Sequence, residues 1–308
     1  MMKTRKTNVH KLLIYFILIS FAFYAGSCTS GRPERVLFIA LDGISVEGYQ
    51  TANTPNIDKL MEKGSSSLNT RVVMPSVTLP NWTSHMTGSG PEQHGVTDNS
   101  WLIDKHVLPA VETDEKGDYP SVFTILKEQV PGIRTAFYYN WSNLIYPYNQ
   151  DYLDEVRFQE NDEYIENFER AFEFIRENKE KPTFVFLYTV HTDEAGHSHG
   201  WMSPEYIESI ERADFHIGVL LDKMENEGIL DDTHIIVASD HGGVNKGHGG
   251  VTPTEMEVPW SLTGPGVKKN HRITVPNNTV NSAFVVAHLF GCTTPESWTG
   301  RVIHSIFE

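Results

Sequence analysis

Three stretches of the chain are apolar at nearly every position, and such runs are typical of strands that are buried on both faces. They read RVLFIAL (35–41), TFVFLYTV (183–190) and HIIVAS (234–239). A weaker run, TRVVM (70–74), leads into PSVTLPNWTSHMTG (75–88). The pattern predicts three central strands and a fourth whose extent is less well defined.

Between these runs, apolar side chains recur at spacings of three and four, which predicts helices. The first, over 54–64, has Thr54 as a cap, Pro55 in its first turn and Gly64 at its end. The other helical segments are 119–129, 161–180 and 203–228. Strands that alternate with helices predict an α/β fold, a three-layer sandwich with a mostly parallel central sheet.

An acidic residue follows each of the three main strands closely. These residues are Asp42, Asp193 and Asp240, and a histidine lies beside or near the last two. A single aspartate after a strand is often only a turn former or a helix cap. In a parallel sheet, however, the carboxyl ends of the strands share one rim, where ligands bind. Three such residues with histidines nearby therefore favour a functional cluster.

The histidines near these aspartates have the spacing of metal ligands. Asp193 and His197 are four residues apart, so one helical turn can bring both to a single ion. The segment DHGGVNKGHGG (240–250) adds a second aspartate–histidine pair and, through its glycines, lets His248 fold back. The sequence does not decide whether His199 binds the metal ion, contacts a ligand from outside or lies at the surface. Mixed ligands of this kind favour Zn²⁺, with Mn²⁺ or iron as alternatives, and they are too many for one tetrahedral ion.

The N-terminus has the pattern of a secretory signal peptide. Four basic residues precede an apolar run over 12–26, which ends just before Cys28. This run is short for a membrane-spanning helix, although an uncleaved anchor remains an alternative. The sequence AGSC is similar to a bacterial lipobox. We expect a signal peptide at 1–27, a tether at 28–34 and an exported protein, periplasmic or outer-membrane-associated and lipid-anchored at Cys28; ordinary cleavage nearby is the alternative.

Charge and cysteine content restrict the classes of partner. The formal net charge is −15, which argues against binding of polymeric nucleic acid. A small anionic substrate would need a local source of positive charge. Cys292 is the one other cysteine, so the sequence contains no disulfide framework. Nothing in the sequence indicates an oligomeric state.

Several short motifs, in this order, resemble the alkaline phosphatase superfamily, and within it the type I phosphodiesterase/nucleotide pyrophosphatase group. They are ALDG (40–43), VTLPNWTSHMTGSGPEQHGV (77–96), the Asp193/His197 pair and SDHGG…GHGG (239–250). Two later stretches, 257–267 and 279–303, resemble the C-terminal strand, turn and helix of the family. The resemblance covers roughly 35–305 and implies one metal-dependent hydrolase domain at 35–308.

The resemblance also implies roles for individual residues. One ion would be bound by Asp42, Asp240 and His241 together with Thr78, and the other by Asp193, His197 and His248. Thr78 would be the nucleophile. Asn81 would donate a hydrogen bond to a phosphoryl oxygen. Backbone N–H groups at the start of the helix near 79–87 would point at the phosphoryl oxygens as further donors.

The chemistry of these residues agrees with that assignment. A threonine hydroxyl is a poor nucleophile until a metal ion or a base lowers its pKa. Two divalent cations about 4 Å apart would activate it and would supply the positive charge that this acidic chain otherwise lacks. We expect a covalent phosphothreonine that water then hydrolyses. The partner would be a small phosphate-ester substrate, with membrane contact only through the anchor.

No arginine lies near Thr78 in the sequence, where Arg71 and Lys246 are the basic candidates. A phosphodiester, which has less charge than a monoester, is therefore the favoured substrate, and a phosphate monoesterase is the alternative. A sulfatase would need a Cys or Ser nucleophile that the two cysteines do not supply. A noncatalytic binding lipoprotein of the same fold is a further alternative.

Two segments interrupt the α/β pattern, and we expect them to form small insertions that line the pocket, near 97–119 and 137–160. The second is rich in aromatic residues, among them Tyr138, Tyr139 and Trp141. These rings could stack on a nucleoside base at the pocket mouth. Alternatively, they cover one edge of the sheet.

Overall fold

The computed structural model describes residues 34–160 and 164–308. The predicted signal peptide, Cys28 and residues 28–33 of the tether lie outside this part of the chain. Pro33–Glu308 forms one compact unit. Within the described residues, no helix is both long enough and apolar enough to cross a membrane.

A single eight-stranded sheet runs through the molecule in the order β4-β3-β5-β1-β6-β7-β2-β8. The strands are β1 (Arg35–Leu41), β2 (Ser65–Arg71), β3 (Arg134–Tyr139), β4 (Glu155–Phe158), β5 (Thr183–Thr189), β6 (His234–Ala238), β7 (Glu257–Thr263) and β8 (His271–Arg272). Strand β1 pairs in parallel with both β5 and β6, and β7 is antiparallel to its neighbours β6 and β2. The predicted mostly parallel α/β sheet is confirmed.

Helices cover both faces of this sheet. They are α1 (Val46–Thr51), α2 (Pro55–Lys63), α3 (Thr78–Thr87), α4 (Pro91–His94), α5 (Val122–Gln129), α6 (Ile165–Glu177), α7 (His191–His199), α8 (Pro204–Asn226), α9 (Pro253–Met256) and α10 (Asn281–Leu289). Along β1, Phe38 belongs to one hydrophobic core and Ile39 to the other. Because successive side chains of a strand point to opposite faces, a strand buried between two helical layers is apolar throughout.

The edges of the sheet differ from the sequence prediction. The strand expected at 70–74 lies instead at Ser65–Arg71, where it pairs antiparallel with β7. Its sequence, SSSLNTR, is polar and so lacks the apolar pattern of the central strands. It can still form a partly buried strand because its buried hydroxyl groups have hydrogen-bond partners, as at Ser65. Residues 137–139, expected within an insertion, form the end of β3, and residues 155–158 form β4.

Candidate functional site

Loops at the carboxyl ends of β1, β5 and β6 form the candidate site. These three strands are neighbours in the sheet and run in the same direction. Their ends therefore carry Asp42, Asp193 and Asp240 to one rim. Asp42 and Asp240 are fully buried, and Asp193 is nearly so.

Asp42, Asp240 and His241 form the first ligand group, which could hold a metal ion. His241 Nε2 lies 3.3 Å from Asp42 Oδ1 and 3.3 Å from Asp240 Oδ2. Thr78 Oγ1 lies at the same distance, 3.3 Å, from His241 Nε2. Ligand atoms at tetrahedral positions around Zn²⁺, with bonds of about 2.0–2.1 Å, are about 3.3–3.4 Å apart. The three distances from His241 Nε2 fit such an ion.

Asp193, His197 and His248 form the second ligand group. His197 Nε2 lies 3.4 Å from Asp193 Oδ2 and 3.1 Å from His248 Nε2. The two groups are adjacent, because the rings of His241 and His248 stack with centroids 3.8 Å apart. His197 is exposed, whereas the first group is buried, so the second group lies on the solvent side.

All three histidines of these groups use Nδ1 in the same way. His241 Nδ1 lies 3.0 Å from the Gly242 carbonyl, His197 Nδ1 lies 3.0 Å from that of Lys246, and His248 Nδ1 lies 2.9 Å from that of Ser76. A carbonyl only accepts, so each Nδ1 carries a proton, and in the neutral form of each ring Nε2 presents a lone pair. This is the tautomer that a metal ion bound at Nε2 requires.

Asp42 and Asp240 each have one carboxylate oxygen that accepts a hydrogen bond and one that does not. Tyr188 donates to Asp42 Oδ2, and the Gly43 N–H donates to Asp240 Oδ1 over 3.1 Å. In contrast, Asp42 Oδ1, Asp193 Oδ1 and Asp240 Oδ2 are buried without a hydrogen-bond partner. Unsatisfied buried carboxylate oxygens are costly, and a cation is the partner that satisfies them together. The donor set therefore fits two divalent metal ions.

Burial also changes the acid strength of these groups. Loss of solvent raises the pKa of Asp42 and of Asp193 to about 6 and raises that of Asp240 well above its usual range. Burial, followed by the neighbouring His241, lowers the pKa of His248 to about 4. Burial also lowers the pKa of His241, so at neutral pH the His241 and His248 imidazoles are neutral ligands, while the buried carboxylates lack a compensating charge.

We expect metal binding to strengthen as the pH rises through about 6. The carboxyl groups of Asp42 and Asp193 have pKa values raised to about 6, so protons compete with a cation below that pH. His248, with a pKa of about 4, does not limit binding in this range. Titration of the metal-free protein with Co²⁺ between pH 5 and 8 measures the effect. Binding that does not change over this range would contradict the assignment of these carboxylates as ligands.

Glycines beside the ligands are required by close packing. Gly43 has a φ of +71°, and a Cβ there would lie 2.9 Å from Asp193 Cα. A Cβ on Gly242 would lie 2.0 Å from the Thr254 carbonyl oxygen. A side chain at Gly43 would push the loop of Asp193 away from that of Asp42, and one at Gly242 would push helix α9 away from the loop of His241.

The glycine loop that carries His248 is held in place by two side chains. Ser76 donates from Oγ to the Gly250 carbonyl over 2.7 Å and accepts from the Gly249 N–H over 3.1 Å. Glu255 accepts from the Gly250 N–H over 2.8 Å. The glycines permit the fold-back toward His197, and these hydrogen bonds fix it.

Asn81 does not reach the site. Its side chain is fully buried, where Oδ1 accepts from the Val73 N–H over 2.8 Å and Nδ2 donates to the Pro75 and Val77 carbonyls over 3.1 and 3.0 Å. All of these partners belong to the loop that leads into α3. The expectation that Asn81 contacts substrate is wrong, because its amide stabilises this loop.

Asn99, which sequence reasoning missed, lines the cleft beside Thr78. Its Oδ1 accepts from the Leu79 N–H over 2.8 Å, and the Asn143 side chain donates to its backbone carbonyl over 3.0 Å. The first contact uses the Leu79 N–H, one of the helix N–H groups that were expected to meet substrate. It also identifies Oδ1 as the acceptor atom of the Asn99 amide that faces α3. The polar residues at 97–100, within a predicted insertion, were the available signal.

The cleft at the site has a volume of about 440 Å³. It is lined by Thr78, Asn99, Trp141, Val190, Asp193, Glu194, His197, Ser198 and His248. Among the described residues, no lysine or arginine side chain lines it. Another cavity, of about 480 Å³, shares none of these residues and lacks the ligand groups, so chemistry rather than size identifies the site.

Two of the three aromatic residues that could stack on a base at the pocket mouth lie in the core instead. Tyr138 is fully buried and packs edge-on against Phe174, so the expectation that it stacks on a ligand is wrong. Tyr139 is also buried and packs against Phe158, whereas Trp141 does line the cleft. His199 lies outside both ligand groups, with Nδ1 4.0 Å from Glu205 Oε1.

The chain is similar in sequence to a known family of hydrolases. The sequence model of the type I phosphodiesterase/nucleotide pyrophosphatase family matches residues 36–249. Ectonucleotide pyrophosphatase/phosphodiesterase family member 3 of Rattus norvegicus is 29% identical over 225 residues, covering 70% of this chain and 26% of that protein. Its Mus musculus counterpart is 30% identical over 219 residues, covering 68% and 25%. The chain thus spans about a quarter of the length of these curated relatives.

The fold is similar to that of a solved relative. Murine ectonucleotide pyrophosphatase/phosphodiesterase 5, as an inactive variant in complex with AMP, superposes with a TM-score of 0.73 at 16% sequence identity. The match covers 89% of this chain and 100% of that chain. At this identity the likeness shows the fold.

Proposed function

The chain belongs to the type I phosphodiesterase/nucleotide pyrophosphatase family, and from that premise we propose that it is a two-metal hydrolase of small phosphodiesters with Thr78 as its nucleophile. The observation that carries this proposal is the set of buried, unpartnered carboxylate oxygens next to Thr78 Oγ1. Asp42, Asp240 and His241 would hold one ion. Asp193, His197 and His248 would hold the other.

The proposed reaction has two steps on Thr78. When bound, the two cations, most suitably Zn²⁺ with Mn²⁺ as the alternative, supply the positive charge that lowers the pKa of the threonine hydroxyl and attracts a phosphoryl group. Thr78 Oγ1 forms a bond to phosphorus while the bond from phosphorus to the leaving alcohol breaks. Water then breaks the Thr78 Oγ1–phosphorus bond, which releases a phosphate monoester and restores the hydroxyl.

We assign to Asn99 the role first expected of Asn81. Its Oδ1 is used by the Leu79 N–H, so its NH₂ group is the amide donor that a ligand in the cleft would meet. Such a donor would stabilise charge on a phosphoryl oxygen as phosphorus becomes five-coordinate.

Replacing Asn99 by alanine is expected to lower kcat by about 10²-fold, the usual cost of one donor to developing charge. Asn81→Ala is the matched control. It is expected to lower the melting temperature, because it leaves backbone groups of the 73–77 loop unsatisfied, and to lower kcat only through that loop. Steady-state kinetics and thermal unfolding of both variants measure the difference. A larger kcat loss in Asn81→Ala than in Asn99→Ala would reverse the assignment.

The composition of the cleft supports a diester rather than a monoester substrate. A monoester dianion carries more charge than a diester, and the described lining provides no lysine or arginine to meet it. Trp141 supplies one aromatic face, on which a nucleoside base or another planar group could stack. Monoester hydrolysis is the second candidate, because the same two ions and Thr78 would serve it.

A substrate panel tests the proposed function. The purified protein, loaded with Zn²⁺ or Mn²⁺, is assayed with bis-p-nitrophenyl phosphate, p-nitrophenyl phosphate and p-nitrophenyl sulfate. We expect the diester to have the highest kcat/KM. A preferred monoester would favour the second candidate, and a preferred sulfate ester would overturn the proposal. A metal-loaded protein inert toward all three would favour a binding role.

We also propose export, with residues 1–27 as a signal peptide and Cys28 as a lipidated first residue before a single hydrolase domain at 35–308. The support is the basic and apolar pattern of the N-terminus and the AGSC motif. Mass spectrometry of the mature protein tests it. An N-terminus at Cys28 with a diacylglycerol adduct is the expected result.

A further inference from the structure

His85 is a fully buried histidine that the proposed reaction does not use. It lies on α3, seven residues or about two helical turns after Thr78. Burial lowers the pKa of His85 to about 3, so the ring is neutral at physiological pH. A buried neutral imidazole has one donor and one acceptor, and both are engaged here.

The hydrogen bonds of His85 have a fixed direction. Its Nε2 lies 3.2 Å from the Ser239 carbonyl, which can only accept, so Nε2 carries the proton. Its Nδ1 therefore accepts from Ser282 Oγ over 2.8 Å. Ser282 Oγ in turn accepts from Trp260 Nε1 over 3.0 Å. The chain of donors runs from β7 through α10 and α3 to the end of β6.

Ser239, the last residue in this series of hydrogen bonds, contacts both loops of the first ligand group. It directly precedes Asp240 and His241 in the sequence. Its Oγ accepts from the Ile44 N–H over 2.8 Å, which anchors the turn that follows Asp42. The same Oγ donates to the His241 carbonyl over 3.3 Å. A shift of Ser239 would therefore move the ligands on β1 and β6 together.

We propose that His85 is a positioning residue that joins the helix carrying Thr78 to the Ser239 junction, and so sets the distance between the nucleophile and the first ligand group. The inference rests on the proposed function in its use of Thr78 as nucleophile. Thr78 lies on the helix at one end of this connection, and His241 follows Ser239 at the other end. The distance from Thr78 Oγ1 to His241 Nε2 is 3.3 Å. Hydrogen bonds behind metal ligands commonly change affinity or activity by about 10–100-fold.

His94 provides a matched control elsewhere in the same region. It is 1% exposed, and burial lowers its pKa to about 3, as for His85. Its Nε2 lies 3.0 Å from Ser84 Oγ, and its Nδ1 accepts from the Val96 N–H over 3.0 Å. These partners include no residue of a ligand loop. Loss of His94 therefore removes a comparable buried imidazole without breaking the connection to Ser239.

The test compares His85→Phe, His85→Gln and His94→Phe in the full-length protein. His85→Phe keeps an aromatic ring and loses both hydrogen bonds, so kcat is expected to fall about 10–100-fold with KM changed less than about threefold. His85→Gln retains a side-chain N–H that can donate to the Ser239 carbonyl and is expected to recover most of the loss. His94→Phe is expected to keep kcat near the wild-type value.

Titration with Co²⁺, followed by its visible absorption, provides a readout that needs no turnover. The tighter site in His85→Phe is expected to weaken about 10–100-fold relative to His94→Phe. If the wild type binds Co²⁺ but cleaves no diester, the proposed function fails, and the Co²⁺ titrations still decide the role of His85. Equal effects of the two phenylalanine variants in both assays, or no recovery with glutamine, would overturn the proposal. If either phenylalanine variant does not fold, the comparison uses His85→Gln, His94→Gln and Ser282→Ala instead. Ser282→Ala removes the donor to His85 Nδ1, so a loss of kcat or of Co²⁺ affinity is expected in that variant alone.

Discussion

Thr78→Ala is expected to lower kcat for a phosphodiester by on the order of 10⁴-fold or more, since it removes the atom that attacks phosphorus. The side chain is 4% exposed, and its Oγ1 lies 3.3 Å from His241 Nε2. Alanine removes only a hydroxyl and a methyl group, so the fold and the carboxylate and imidazole ligands remain. Metal analysis by mass spectrometry and steady-state kinetics on the same preparation measure both effects.

Thr78→Ser is the control for this experiment. Serine keeps the hydroxyl, so activity is expected to remain well above that of the alanine variant. Rapid acid quenching of the wild type during turnover should leave phosphate on the peptide that contains Thr78, and the alanine variant should leave none. Activity of Thr78→Ala within tenfold of wild type would show that another group attacks phosphorus.

Asp240→Asn is expected to have opposite effects on the metal-free and the metal-loaded protein. Burial raises the pKa of Asp240 well above its usual range, which means that ionising it in the folded protein costs stability. By linkage, the free energy of unfolding of the metal-free protein falls as the pH rises from the ordinary aspartate pKa to the raised one. Above the raised pKa, Asp240 is charged in both states, and the unfolded state solvates that charge better. The neutral amide removes that cost, so the metal-free variant is expected to melt higher than the metal-free wild type, by about 2–4 °C per kcal/mol.

The metal-loaded forms should reverse this order. A ligand at a hundred times its dissociation constant stabilises the folded state by about 2.7 kcal/mol, and the variant loses much of that gain at the first ligand group. Its kcat is expected to fall by on the order of 10³-fold. Melting curves with and without Zn²⁺ and a chelator measure both orders. A variant that melts lower than wild type in the chelator would contradict the argument from burial.

Ser239→Ala would extend this series to the junction behind the ligands without touching an ion. Its Oγ binds both Ile44 N and His241 O, so the loss of one hydroxyl affects two ligand loops at once. These two hydrogen bonds hold the loop after Asp42 against the loop of Asp240 and His241, so they support the arrangement of the buried first group. The second group has a more exposed member, His197, and would exchange its ion more readily.

The sequence by itself determined the central strands, the fold class and the family. Continuous apolar runs identify β1, β5 and β6, because a strand between two helical layers has no polar face. The ordered motifs carried the family resemblance, which the match over residues 36–249 confirms. The placement of Asp42, Asp193 and Asp240 at one rim followed from parallel strand direction alone, since the carboxyl ends of such strands share one edge.

Only the tertiary structure decided which side chains face the cleft and what they bind there. Asn81 and Asn99 are both asparagines near Thr78, yet one amide is consumed by its own loop and the other reaches the cleft. Tyr138 and Trp141 are three residues apart, but one packs into the core while the other lines the site. Sequence spacing fixes positions along the chain, whereas the partners of a buried polar atom come from segments that are distant in sequence, as Ser76 does for His248. The tautomers of the histidines and the connection through His85 depend on those distant partners, and for that reason no local pattern could specify them.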